Sequence, residues 1–195
     1  MNKDFAFILG NGITRLEVDC ENLLDYGTVY GCNRIYQEFA PNVLVSTDRE
    51  MAHEIQQSGY SSCHKHYTRK HNILKDSGAL ILPKHLHDTS SGPAALGLAT
   101  QSEANYLFMI GMDLKGINNK INNVYAGTQH YKKKESPPVF FGNWVDQINN
   151  LIKMNNSKRF LLINPLDSFT ADIFYKNNNF ETLNLYEFKQ VINNL

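Results

Sequence analysis

Three kinds of residue group in this chain have the chemistry to hold a small anionic ligand. The first is Gly10-Asn11-Gly12-Ile13-Thr14, directly after the apolar run Phe5–Leu9. Two glycines bracketing an asparagine let backbone approach backbone, or a ligand, more closely than side chains allow. The second is Ser90-Ser91-Gly92, at the start of a helical pattern that runs from Gly92 to Glu103. Hydroxyls and unbonded N–H groups at a helix N-terminus make an anion site. The third recurs where apolar runs stop: Gly31-Cys32-Asn33, Ser46-Thr47-Asp48 and Gly111-Met112-Asp113. An Asn side chain both donates and accepts, as the reading of a base or ribose requires. Each group has an ordinary reading too. Ser-Ser-Gly is an N-cap, Asn33 caps the next helix, and Asp113 either orients an acceptor or caps the turn after Gly111. Asp48 carries the same pair of readings. In register at successive strand ends, they point together to a nucleotide or nucleotide-sugar.

The form of the nucleotide is narrowed by what is missing. Gly10-x-Gly12 begins a dinucleotide fingerprint, but Arg15 stands where the third glycine would pack, and no Walker lysine follows the second glycine. ATP-driven phosphoryl transfer and hydride transfer both fall behind. Arg15 itself pairs with phosphate or forms a surface ion pair. Cys63, His64, His66 and His71, with His85 and His87 beyond, lack a standard zinc spacing and read as surface histidines. Trp144 reads as core packing.

These residues need a scaffold to bring them together. Strand-length apolar runs at Phe5–Leu9, Val29–Cys32, Val43–Thr47, Ala79–Leu82, Tyr106–Ile110 and Phe160–Ile163 are apolar on both faces, which suits a covered parallel sheet. Helical spacing lies between them at Arg49–Gln57, Gly92–Glu103 and Asn143–Lys153, and Tyr186–Ile192 closes the series. The expected fold is α/β: a Rossmann-like, doubly wound, mainly parallel sheet with helices on both faces, in one domain over residues 1–195. Two polar segments interrupt it. Ser58–Ser77 carries the histidines, and 115–141 has no apolar period and ends in Pro137-Pro138. The second is expected to be a lid or acceptor-binding insertion, less ordered than the sheet without ligand.

Composition excludes several classes. Lys plus Arg and Asp plus Glu both number 19, so the chain lacks the basic surplus of a general nucleic-acid coat. Lys132-Lys133-Lys134 reads as a solvated loop. Three cysteines at irregular spacing suit reduced thiols. Met-Asn-Lys-Asp before a short apolar run is not a signal peptide, and no run has the length of a membrane span, so a cytoplasmic location is expected.

The segments "ILGNGITRLEVD", "VYGCNRIY", "SSGPAALGLATQSEANYLFMIGMDL", "NVYA" and "LLINPLDSF" resemble, in that order, segments of bacterial sialyltransferases of glycosyltransferase family 42. The wider Rossmann-like group that includes pterin diphosphokinase-like domains shares the G-N-G and S-G…G-x-D elements. The resemblance implies a metal-independent transferase that uses a nucleotide-sugar, foremost a CMP-sugar, as substrate and needs no further cofactor. It implies that Asn11 and Gly12 contact phosphate or ribose, with Thr14 at the motif's serine position. Asn33 would read the base or ribose, and Ser91 and Gly92 would hold the donor. Tyr125 would assist the leaving phosphate, and the absence of a D-x-D motif agrees with this. The family's general-base histidine has no counterpart in Pro137–Trp144, and His130, inside the insertion, is the nearest imidazole. A pterin diphosphokinase-like transferase and a catalytically inactive nucleotide- or sugar-binding protein are the alternatives. A glycan acceptor and self-association are partners left open.

Overall fold

The computed structural model describes residues 4–166 and 169–193. Its eight strands are β1 (Phe5–Leu9), β2 (Thr28–Cys32), β3 (Val43–Val45), β4 (His66–Thr68), β5 (Leu80–Ile81), β6 (Tyr106–Ile110), β7 (Arg159–Ile163) and β8 (Phe180–Leu183). They form one sheet in the order β5-β4-β3-β2-β1-β6-β7-β8, with every pairing parallel. The chain winds outward from β1 to β5, returns to place β6 beside β1, and winds outward again. The order therefore reverses between β1 and β6.

Side-chain alternation explains the double covering. In β1, Ala6 and Ile8 enter one core while Phe5, Phe7 and Leu9 enter the other. β6 and β7 divide in the same way, Leu107, Met109, Phe160 and Leu162 against Phe108, Ile110, Leu161 and Ile163. Helices α3 (Ser91–Thr100) and α4 (Gly142–Met154) close the first core with Ala94, Ala95, Leu96, Ala99, Ile148 and Ile152. Helices α1 (Arg49–Gln57) and α5 (Leu185–Asn193) close the second with Met51, Ile55, Phe188 and Ile192. A short helix α2 (Tyr60–Cys63) and several 3-10 turns complete the connections. This is the α/β doubly wound architecture that the apolar runs imply.

The polar stretch Ser58–Ser77 departs from its reading as an interruption, because it contains α2 and β4. His66 is fully buried, not on the surface, and both of its ring nitrogens are hydrogen-bonded, Nε2 with Ser46 Oγ and Nδ1 with Ser61 Oγ, each at 2.7 Å. A polar strand can occupy the interior because its hydrogen bonds are met there. β3 ends at Val45, two residues short of Thr47, and β5 is two residues long. β8 is an additional, half-exposed edge strand.

The insertion 115–141 has no helix or strand, only an isolated bridge between Ile117 and Lys120. It is nevertheless tied to the sheet. The Val124 N–H donates to the Asn11 carbonyl at 2.8 Å, and Tyr125 and Ala126 are buried.

Candidate functional site

A cleft of about 280 Å³ opens at the carboxyl edge of the sheet, where the strand order reverses. Ligands bind in this position in open α/β sheets. It is lined by the ends of β1 (Gly10, Asn11, Gly12), β2 (Cys32, Asn33), β3 (Thr47, Asp48), β4 (Arg69) and β6 (Gly111, Met112, Asp113). Ser90, Gly92 and Pro93 add the start of α3, Trp144 and Ile148 come from α4, and Asn122 and Asn123 come from the insertion.

The two glycines of the first turn serve a protein contact. A methyl group at Gly10 would collide with the Gly111 carbonyl, and one at Gly12 with the Asp113 carboxylate. Their absence of side chains lets the ends of β1 and β6 press together. The N–H groups of this turn are turned to the same purpose. Gly12 N–H donates to Gly111 O (2.8 Å), Ile13 N–H to Asn122 Oδ1 (2.9 Å) and Thr14 N–H to Asp113 Oδ2 (3.0 Å). Thr14 Oγ1 donates to Asp113 Oδ1, and Asn122 Nδ2 donates to Asp113 Oδ2 at 3.1 Å. The Asp113 carboxylate is thus held by three donor contacts, and Thr14 is buried behind it. The next residue, Leu114, sits at φ +58° with Lys115 N–H bonded to Asp113 O (2.6 Å), a tight turn of a kind leucine rarely adopts.

The opposite wall is less self-contained. Asn33 follows β2 at φ +55°, and its Oδ1 is buried without a hydrogen-bond partner. Asp48 is exposed at the N-cap of α1 and makes no side-chain capping bond. Ser90, at the N-cap of α3, likewise makes no capping bond; its Oγ accepts from Trp144 Nε1 at 3.0 Å. Trp144 is a half-buried wall of the cleft, in contrast to the core role its helical stripe suggests. Ser91 turns inward: its Oγ accepts from Thr47 N–H and is hydrogen-bonded to Thr47 Oγ1, both at 3.0 Å. It braces β3 against α3 and does not line the cleft. Cys32 does, but burial pushes its thiol up to about 12, so it is no nucleophile at neutral pH.

Asn11, Gly12, Asn33, Asp48, Ser90, Gly92 and Asp113 are therefore brought together, and Thr14 and Ser91 stand behind them. Tyr125 and His130 are placed elsewhere. The Tyr125 hydroxyl donates to Glu38 Oε1 and accepts from Arg15 Nη2 (3.1 Å), and burial pushes its phenol well above the ordinary range. Arg15 is 2% exposed and bound at 2.8 Å to the surface residue Glu38, an ion pair with one buried partner in place of a phosphate contact. His130 Nε2 lies 3.1 Å from Glu54 Oε2 in a separate groove on α1, where Glu54 also accepts from Arg34 and Tyr36. Among the described residues no group of three or more His, Cys, Asp and Glu side chains could hold a metal ion. No helix of the described residues is long and apolar enough to cross a membrane. Asp167 and Ser168, within the segment "LLINPLDSF", lie outside the described residues.

Sequence reasoning missed Arg69, Trp144, Asn122 and Asn123. Arg69 was hidden because β4 was not read as a strand. Its one local signal is Tyr67-Thr68, an aromatic and a β-branched residue directly before it. Comparison with protein families, curated proteins and solved structures finds no match to this chain.

Proposed function

We propose that the cleft binds the nucleotide part of a nucleotide-activated sugar, with a CMP-sugar as the leading candidate, in a metal-independent, sialyltransferase-like protein. The observation that carries this reading is Asn33. It lines a cleft at the reversal of strand order, in a left-handed conformation, with a buried carboxamide oxygen that no protein donor satisfies. Turned toward the cleft, that carboxamide oxygen would gain from a ligand donor the hydrogen bond it lacks, such as one from the exocyclic amine of a base. Trp144, Met112 and Ile148 supply apolar surface for a ring, and Asn11 supplies a second carboxamide. The volume sits near the lower end of small-ligand sites, ~300–1,000 Å³.

A second reading, binding without transfer, draws support from one specific finding: Tyr125 and His130 are both engaged outside the cleft. Transfer through His130 requires the insertion to release it from Glu54.

Thermal denaturation with a panel of CMP, UMP, AMP, GMP and ATP tests the binding. At 100-fold excess over Kd, a ligand of the native state adds ~2.7 kcal/mol. For a chain of this size that is a rise in Tm of about 5–10 °C. CMP is expected to give the largest rise, and no rise with any nucleotide overturns the reading. Release of CMP from a CMP-sugar by the purified protein separates transferase from binding protein.

A further inference from the structure

An anion in the cleft must be met by donors, and the backbone amides of the turn after β1 are not free for it. Those N–H groups, at Gly12, Ile13 and Thr14, are committed to Gly111, Asn122 and Asp113, and the Asp113 carboxylate stands among them. Phosphate is repelled from that side. Across the cleft, Arg69 is the sole lysine or arginine among the lining residues. It directly follows β4, and two backbone carbonyls fix its guanidinium: Nε donates to His87 O at 2.8 Å and Nη2 to Thr89 O at 3.2 Å. Both acceptors belong to the segment that leads into α3, whose first turn presents Gly92 to the same cleft. The guanidinium is thus half-buried and pre-oriented, with donors beyond those two bonds. A planar fork held in place loses little freedom when it takes a phosphate oxygen.

We infer that Arg69 is the phosphate-recognising residue of the cleft, the one that distinguishes a nucleotide from its nucleoside. The inference rests on the reading that the cleft accepts a nucleotide, and its test separates the two. Its content is a charge-assisted contact between the Arg69 guanidinium and a phosphomonoester or phosphodiester, on the wall made by β4 and α3.

Titration calorimetry at fixed ionic strength with CMP, cytidine and inorganic phosphate reads the contact directly. The intact protein should bind CMP about 10–100-fold more tightly than cytidine, the range of a charge-assisted hydrogen-bonded pair. In Arg69→Gln that ratio should fall close to one while cytidine affinity holds. A folded Arg69→Gln protein that keeps the ratio overturns the inference. So does an equal loss of CMP and cytidine binding, which would assign Arg69 a bracing role alone, through His87 and Thr89. Arg69→Lys keeps the charge without the fork and guards against a Gln variant that fails to fold. It should lose several-fold of the ratio, and an unchanged ratio there also overturns the inference. Phosphate binding that disappears in Arg69→Gln, in a protein that binds no nucleotide, would sustain the anion site and remove the nucleotide reading. If neither nucleotide nor phosphate binds the intact protein, both fall.

Discussion

The two walls of the cleft are built on opposite plans. On the side of β1 and β6, donors and acceptors are matched within the protein: Thr14 and Asn122 satisfy Asp113, and the first-turn amides find acceptors at Gly111, Asn122 and Asp113. On the side of β2, β3, β4 and α3, the lining residues keep polar capacity: Asn33 Oδ1 has no protein donor, Asp48 makes no capping bond, and Arg69 has N–H groups beyond its two carbonyl bonds. The first wall is a seam that holds the sheet together at its reversal. The second is the surface a ligand would use. A glycine-rich turn after a first strand is thus insufficient to locate a phosphate, because its amides can be consumed by a neighbouring carboxylate.

Substitutions can break this contrast, and the largest effect belongs to the seam. Asp113→Ala leaves the two buried donors of Thr14, its N–H and Oγ1, unpaired at roughly 1–3 kcal/mol each, while Asn122 Nδ2 keeps Lys115 O. Chemical denaturation should show a loss of about 4 kcal/mol, and a loss below about 1 kcal/mol would refute the seam. Acid should act on the other wall. Burial pushes the His66 imidazole from 6.5 down to about 4, so unfolding takes up a proton between those values. His66 contributes its full stability above pH 6.5 and loses it as pH falls toward 4, by about 3 kcal/mol at most. Denaturation midpoints across that window should decline, and His66→Gln should flatten the decline.

Tyr125→Phe removes the hydroxyl between Arg15 and Glu38 and should lower stability by about 1–2 kcal/mol. CMP affinity should not change, since Tyr125 lies off both walls. A drop in CMP-sugar cleavage without a drop in stability would instead support a role in leaving-group departure. The smallest effect is expected at Asp48→Asn, which should leave the denaturation midpoint in place. Removing a negative charge from the cleft should raise CMP affinity a few-fold. A fall in affinity would mean that the carboxylate accepts a ligand hydroxyl.

How far the molecule was legible follows from which forces wrote each part. β1 and β6 were read to the residue because both faces are buried, and burial leaves an unbroken apolar run. α1 was read to the residue through its amphipathic spacing. β4 was not, since His66 and Thr68 are polar and only the folded packing, with hydrogen bonds to Ser46 and Ser61, makes His66 an interior residue. The cleft residues at strand ends could be named in advance because strand ends are where the pattern changes from apolar to small and polar. Trp144 and Arg15 could not be placed, as the same residue type suits a core, a wall or an ion pair, and only tertiary context chooses. Tyr125 and His130 were suggested by resemblance and by type, and neither spacing nor composition fixes which way an irregular insertion folds back. The insertion itself packs more firmly than its polar composition implies, through Val124, Tyr125 and Ala126.

The all-parallel order has a consequence for how the chain comes to be folded in the first place. β1 lies between β2, its near neighbour in sequence, and β6, which pairs Phe5 with Tyr106 across a very long stretch of chain. Pairings of such separation form slowly, because the intervening chain must be closed into a loop before any contact rewards it. During synthesis β1 therefore waits with one side paired and the other open, and its five side chains are the uninterrupted apolar set Phe-Ala-Phe-Ile-Leu. An open edge of that kind is a template for association with other nascent chains. The emergence of β6 covers this edge and brings Gly111, Met112 and Asp113 to the cleft. β6 then waits for β7, and the cleft for Asn122 and Trp144, so protection and competence for ligand arrive together only as the later chain follows.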